Sequence, residues 1–291
     1  MQVKVEKQPK STLKLTITVP NEKVLEVYNK VVATLVETAE LPGFRKGKAP
    51  KEKVLEKADQ AELNGEVVNK LLQTYYPQAL KEHHILPVSN PRVEIAKFDL
   101  DKDFEFSATV GQKPEIKIGD YKVAIKTRLE TKVAAAKKAN EDKFKTGEEV
   151  AEPHMHLTVD DVIDGILGVS ELEVPDLLID DEVNRMLSRL LDQTQTLGMT
   201  VEDYLQSQNK TGEKLREEYT NYAQRTLKAE FVLTQLIEVE KVAVDDAEID
   251  EAMKAGGMQS PTEKWYIKSI LAKNKLVSKL AQEAEGHAHE K

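Results

Sequence analysis

The sequence predicts an α+β domain followed by a helical domain, and three observations carry this prediction. Apolar and polar residues alternate over Thr12–Val19, the period-two pattern of a half-buried strand. From Thr158 onward, apolar residues recur every three or four positions, as they do on one face of a helix. Between two early helical patterns lies Leu41–Pro50, with two glycines and two prolines, which predicts an exposed tip.

The first domain is predicted over residues 1–113. Its expected elements, in chain order, are strands Val3–Lys7 and Thr12–Val19, a helix from Asn21, a short helix through Val54, a long helix over Leu63–Tyr76, and strands Arg92–Phe98 and Phe104–Val110. Asn21 follows a proline and is a candidate N-cap, since its side chain can accept from the first free backbone N–H groups. Pro77 is expected to kink or interrupt the long helix.

Residues 114–157 are predicted to be a linker. Pro114–Ile125 has the pattern of an extended strand, and the polar, lysine-rich stretch after it is expected to be helical only around Val133–Ala139. The 26 residues between Lys126 and Pro153 are too few for an independent domain, which needs about 50.

The second domain is predicted over residues 158–285, with a disordered tail over 286–291. Its expected helix starts are Thr158 with Asp161 as a capping box, Pro175, Thr200, Thr211, Asp245 or Asp246, and Ser260. The longest helix runs from Thr211 to about Val242, and at ~1.5 Å per residue it reaches about 45 Å. Such a length exceeds what a small core requires, so we expect a projecting arm.

Composition narrows the classes of function. The chain of 291 residues has no cysteine, which excludes disulfides, thiolate metal sites and cysteine nucleophiles. It has no apolar run near the ~18 residues of a membrane span, and its N-terminus lacks the apolar segment of a secretory signal. We therefore expect a cytoplasmic protein without membrane contact.

The histidine pairs His154 with His156 and His287 with His289 lack a third ligand of matching spacing, so no metal is expected. No cofactor is expected either, since no glycine-rich phosphate loop is found.

Charge is unevenly distributed along the chain. Residues 148–253 contain 26 acidic and 8 basic residues, whereas Pro42–Lys57 contains six cations and two acids. The acidic stretch would repel a polyanion over most of the molecule. Any contact with RNA is therefore expected to be local, and the tip is its candidate place.

The tip sequence Gly43-Phe44-Arg45-Lys46-Gly47-Lys48, followed by Pro50, resembles the ribosome-docking signature of bacterial trigger factor. The resemblance continues through a first block over residues 1 to about 126 and through a second block over about 174–250. Markers of the second block are Val174-Pro175, a helix ending at Gly198, Thr200–Leu205 and Glu213–Arg216. Together the two blocks cover roughly two hundred residues.

This resemblance implies a ribosome-binding α+β domain followed by an all-α, arm-bearing chaperone domain that works without ATP. The implied partners are the ribosome, through rRNA and a tunnel-exit protein, unfolded nascent chains, and a second copy of the chain as a homodimer when free. The implied ribosome-binding residues are Gly43, Phe44, Arg45, Lys46, Gly47 and Lys48. Arg45 and Lys46 would meet phosphates or an acidic side chain, and Phe44 would enter an apolar groove.

The chain departs from the family at one place. Trigger factor normally carries an isomerase domain of the FK506-binding type between the two blocks, where this sequence has only the predicted linker. Phe144, the one aromatic residue of 127–150, cannot form an aromatic-lined pocket by itself, so we expect no catalytic residues and no enzyme activity. Two alternatives stay open: a holdase that works without ribosomes, and a peptidyl-prolyl isomerase.

Overall fold

The computed structural model describes residues 1–95, 98–144, 156–258 and 260–286. They form two compact units. The first unit comprises Met1–Pro114 together with Pro175–Asp181, and the second comprises Glu115–Val174 and the residues after Asp181.

The first unit contains a four-stranded antiparallel sheet. Its strands are β1 (Gln2–Gln8), β2 (Thr12–Val19), β3 (Arg92–Ile95) and β4 (Phe104–Gly111), in the spatial order β1-β2-β4-β3. Strand β2 is central, with Leu15 opposite Val5 on one side and opposite Ala108 on the other. Every second residue of β2 from Leu13 to Val19 is buried, because that face packs on the helices of the unit.

Three helices complete this unit: α1 (Asn21–Thr38), α2 (Lys51–Lys57) and α3 (Gln60–Glu82). The buried stripes of α1 and α3, which include Val24, Val31, Val67 and Leu71, belong to the same hydrophobic core as β2 and β4. Helix α3 begins after Asp59, whose side chain accepts the backbone N–H groups of the first turn. The N-terminal α+β fold predicted from the sequence is confirmed.

In the described residues of the second unit, the regular structure is helical apart from one short ladder. Strands β5 (Lys117–Ile118) and β6 (Ser170–Glu171) pair antiparallel. Its helices are α4 (Tyr121–Phe144), α5 (Val159–Gly168), α6 (Asp176–Thr196), α7 (Val201–Ser207), α8 (Gly212–Val239), α9 (Asp246–Ala255) and α10 (Pro261–Glu285). The first residues of α6 group with the first unit, where Asp176 pairs with Lys10 at 2.7 Å and Asp180 with Arg92 at 3.1 Å.

Helices α5 to α10 of the second unit begin where the sequence places them. Thr158, Thr200 and Ser260 each form a capping box with the acidic residue three positions later, and Thr211 caps α8. The core joins α4, α5, α8 and α10 through buried residues such as Ile125, Ile166, Leu236 and Leu276. The predicted succession of an α+β part and a helical part is thus confirmed.

Several local predictions need correction. The expected extended strand over Pro114–Ile125 is wrong: α4 begins at Tyr121, and Ile125 is 1% exposed in the core of the second unit. The segment 114–157, predicted as a linker, therefore contributes a helix of 24 residues and most of its described part belongs to that unit. Residues 145–155 and the predicted tail after Gly286 lie outside the described residues.

Two predictions about single residues are also wrong. Asn21 does not cap α1; its side-chain amide donates to the carbonyls of Leu100 and Lys102, and its own N–H is accepted by Asp103 at 2.8 Å. The predicted interruption of α3 at Pro77 is wrong, since the helix continues to Glu82, while the kink stays a prediction. The predicted strand Arg92–Phe98 is described as strand only to Ile95.

Candidate functional site

Leu41–Pro50, here called the tip loop, connects α1 to α2 and is closed at its base by a backbone hydrogen bond. Helix α1 stops because Ala39 adopts an extended conformation. The carbonyl of Ala39 then accepts the N–H of Gly47 at 3.2 Å. On the return side Ala49 is 5% exposed and anchors the chain before α2 begins. The loop therefore has a fixed neck.

Within the tip loop, two turns and two glycines set the backbone path. The N–H of Phe44 donates to the carbonyl of Leu41 at 3.0 Å, and that of Lys48 to the carbonyl of Arg45 at 2.9 Å. Gly43 has φ +88° and Gly47 has φ +71°, a region that side chains disfavour. A Cβ on Gly47 would also lie 2.8 Å from the carbonyl oxygen of Glu37, whereas Gly43 has open space.

Four side chains in the middle of the tip loop face solvent. Phe44 is 40% exposed although it is aromatic, and Arg45, Lys46 and Lys48 are exposed as well. Lys46 pairs with Glu40 at 3.1 Å. Within the described parts of the chain, no ion pair within 4 Å involves Arg45 or Lys48. The six predicted residues thus lie on one loop that carries an exposed aromatic ring and three exposed cations.

The two glycines allow a matched test of the loop geometry. Gly47→Ala is expected to open the neck and raise the rate of trypsin cleavage at Arg45 or Lys46 about tenfold, because it adds a backbone clash to an unfavourable φ. Gly43→Ala meets no atom and should raise the rate only about threefold. Timed proteolysis followed by mass spectrometry measures both rates. Equal rates for the two variants would contradict the proposed clash.

A second candidate surface consists of exposed apolar side chains in the second unit, here called the apolar set. Its members are Val123, Val159, Leu191, Leu197, Tyr222, Val239, Trp265 and Tyr266, each between 47% and 74% exposed. They are distributed over α4, α5, α6, α8 and α10, Leu197 and Val239 lying at or just beyond a helix end. Met186, Met199, Met253 and Met258 of this unit are half-buried, and Met155 lies outside the described residues.

Charged groups in the second unit converge on Glu240, just after α8. Its carboxylate accepts from the Tyr121 hydroxyl at 2.6 Å, from Lys122 Nζ at 3.0 Å and from Lys279 Nζ at 2.5 Å. These three donors lower the pKa of Glu240 to about 2, with Lys279 the largest cause. Burial, with the hydrogen bond to Glu240, raises the pKa of Tyr121 to about 12. The group, here called the Glu240 cluster, links α4, α8 and α10.

The described residues contain no group of three or more histidine, cysteine, aspartate or glutamate side chains placed to hold a metal ion. Of the histidines considered for metal, His156 lies 3.3 Å from Glu285, and the other three are outside the described residues. Among the helices that the structure describes, none combines the length and the apolar character that crossing a membrane requires.

Comparison with known families decides the relationship. The family model for the bacterial trigger factor protein matches residues 1–144, and the model for the C-terminus of the same protein matches residues 134–286. The chain belongs to the bacterial trigger factor family. The two matched ranges overlap, so nearly all of the described chain is covered by one or the other.

Trigger factors of known sequence resemble the chain over part of their length. That of Clostridium botulinum strain Hall is 37% identical over 122 residues, which is 42% of this chain and 28% of the relative. That of Staphylococcus epidermidis strain RP62A is 40% identical over 108 residues, 37% of this chain and 25% of the relative. The matches thus span about a quarter of the length of these trigger factors.

A solved structure described as "Promiscuous Substrate Recognition in Folding and Assembly Activities of the Trigger Factor Chaperone" shares the fold. Its TM-score is 0.65 at 17% sequence identity, over 98% of this chain and all of the solved chain. In this chain, two residues near the tip signature take part in its geometry and were missed by sequence reasoning. Glu40 and Ala49 flank the signature and contact it or anchor it; only their positions next to the motif could have pointed to them.

Proposed function

We propose that this trigger factor family member is an ATP-independent chaperone of the cytoplasm that docks at the ribosomal tunnel exit and holds nascent chains. One observation carries the proposal: the tip loop presents an exposed Phe44 together with exposed cations, on a neck closed by the Ala39–Gly47 hydrogen bond. An exposed aromatic ring on a fixed loop has no role in the core of its own unit. It is available to contact a partner molecule.

The chemistry of the loop fits a surface of RNA and protein. Arg45 and Lys48 lack an ion pair among the described residues, so their charges are available to rRNA phosphates. Phe44 can bury its ring in an apolar groove of a protein at the tunnel exit. Because Gly43 and Gly47 have no side chain, the partner can approach the backbone of the loop closely. These contacts explain why Gly43 to Lys48 form one proposed site.

The proposed holding function rests on the apolar set of the second unit. Its side chains are separate and exposed, so an unfolded segment gains burial at several places without a fixed register. Release follows from mass action, because a client that folds buries the apolar surface through which it was bound. The acidic excess of residues 148–253 would keep this unit away from rRNA while the tip loop is docked.

We also propose that the chain lacks an isomerase activity. Helix α4 ends at Phe144 and α5 begins at Val159, so 14 residues separate them, and an independent domain needs about 50. The two matched family ranges meet at 134–144 and support the same proposal. A proline-limited refolding assay with substoichiometric protein is the measurement that checks it.

Co-sedimentation with 70S ribosomes over a salt series tests the docking. The unmodified protein is expected to pellet, and its apparent affinity should fall as salt rises. Arg45→Ala should reduce the slope of log K against log salt by about 0.7 to 0.9, the contribution of one phosphate contact. Lys70→Ala, which removes an exposed charge from α3, is the matched control and should leave the slope unchanged.

The outcomes distinguish ribosome docking from the activity of a holdase that works without ribosomes. If the unmodified protein fails to pellet at any salt concentration, docking is disproved. Protection of an unfolded client against aggregation in the same preparation would then assign the chain as a holdase that works without ribosomes.

A further inference from the structure

Glu40 and Lys46 face each other across the neck of the tip loop. They flank the pair Ala39 and Gly47, which are joined by the backbone hydrogen bond, each one residue toward the tip. Lys46 Nζ lies 3.1 Å from Glu40 Oε1, and the side chains are 63% and 72% exposed. The fixed neck therefore places a carboxylate against one cation of the docking signature.

This contact divides the cations of the tip loop into two kinds. Arg45 and Lys48 have no ion pair in the described chain, whereas Lys46 already has a partner of opposite charge. A phosphate that reaches Lys46 must displace the carboxylate of Glu40 and then remain near that negative charge. Both effects oppose binding. Because exposed ion pairs are weak, the exchange is feasible but has a cost.

We propose that the Glu40 carboxylate restrains the tip loop by pairing with Lys46 until a phosphate of the partner displaces that carboxylate. Glu40 is thus a specificity-determining residue that keeps docking weak and reversible. Anions that engage only Arg45 or Lys48 leave the ion pair intact, while an RNA surface that engages all three cations breaks it. This inference rests on the proposed docking function and adds its regulation.

The test is a double-mutant cycle with two probes. Binding of a fluorescently labelled RNA hairpin is measured by anisotropy, and binding of 70S ribosomes by co-sedimentation. Glu40→Gln should tighten both about two- to fivefold, the range of exposed ion pairs. In a Lys46→Ala background the same substitution should have a much smaller effect, since no cation remains to be released.

Glu37→Gln is the matched control. It removes the same charge from an exposed side chain near the end of α1, so it reports the effect of net charge alone and should change binding less than about 1.5-fold. The inference is overturned if Glu40→Gln binds the hairpin no more tightly than the unmodified protein does. It is also overturned if Glu40→Gln raises the affinity by the same factor in the Lys46→Ala background. If ribosomes fail to bind any variant while Glu40→Gln still tightens the hairpin, docking is disproved and the role of Glu40 stands.

Discussion

Replacing Phe44, Arg45 and Lys46 together by alanine is expected to weaken ribosome binding at least about a hundredfold. The ring of Phe44 and two charge-assisted contacts each contribute about 1 kcal/mol or somewhat more, and about 3 kcal/mol corresponds to two orders of magnitude. None of the three side chains belongs to a hydrophobic core. The variant should therefore fold with an unchanged circular dichroism spectrum and melting temperature.

A second triple variant controls for charge and exposed apolar area. Lys70→Ala, Lys81→Ala and Leu86→Ala together remove two exposed cations and one side chain that is 81% exposed, all from the first unit. This variant should pellet with ribosomes like the unmodified protein. Equal loss in both variants would show that docking depends on net charge and not on the tip loop. Aggregation protection without ribosomes should be retained by both, because the apolar set is intact.

The sequence was sufficient for the features that local chemistry determines. Strand β2 was predicted residue for residue because alternation with period two is complete over Thr12–Val19. The capping boxes at Thr158 and Ser260 depend on residues three positions apart, so they too can be found without a structure. The tip loop was located because glycine and proline restrict where helices continue.

Helix α4 was predicted only around Val133–Ala139, and the rest of Tyr121–Phe144 was missed for a physical reason. Its apolar residues form no clear stripe, since much of the helix consists of alanine, lysine and other charged residues. It is held to the second unit partly by ion pairs of long side chains: Arg128 with Asp164 at 3.4 Å, and Lys132 with Asp161. Hydrophobic periodicity does not report such contacts. The two-residue strands β5 and β6 are too short for any period to be seen.

The neck of the tip loop could not be predicted for a different reason. The Ala39–Gly47 hydrogen bond and the Glu40–Lys46 ion pair join residues whose proximity depends on the closed loop. The partners are eight and six positions apart across a loop that is neither helix nor strand, so neither contact follows from helical or strand periodicity. The residues of the proposed site were therefore predictable, but not the acidic residue next to it.

Replacing Glu240 by alanine is expected to lower the free energy of unfolding of the second unit by about 2 to 3 kcal/mol. The side chain is 10% exposed, and hydrogen bonds between charged groups at partly buried sites contribute about 1.5 to 3 kcal/mol. Lys122 and Lys279 are each more than 40% exposed, so water can solvate them after the change and limits the loss. Glu238→Ala, which truncates an exposed residue in the last turn of α8, should change stability by less than about 0.5 kcal/mol.

The contribution of Glu240 has a defined pH dependence. Its folded-state pKa of about 2 lies below the ordinary value of 4.5, so its stabilisation is complete above about pH 4.5 and is lost as the pH falls towards 2. Tyr121, with a pKa raised to about 12 from 10, gives the opposite sign: its contribution is complete below pH 10 and is lost as the pH rises through 12. Stability between these limits should be constant for this cluster.

Urea unfolding followed by circular dichroism measures the difference between Glu240→Ala and the unmodified protein at several pH values. The difference should be largest near neutral pH and should shrink below pH 4, because the protonated carboxyl of the unmodified protein no longer attracts Lys122 and Lys279. A difference that stays constant down to pH 2 would show that packing of the side chain, and not its charge, holds the three helices together. Because α4, α8 and α10 meet at this carboxylate, the same variant should also expose the amides of α4 to faster hydrogen exchange.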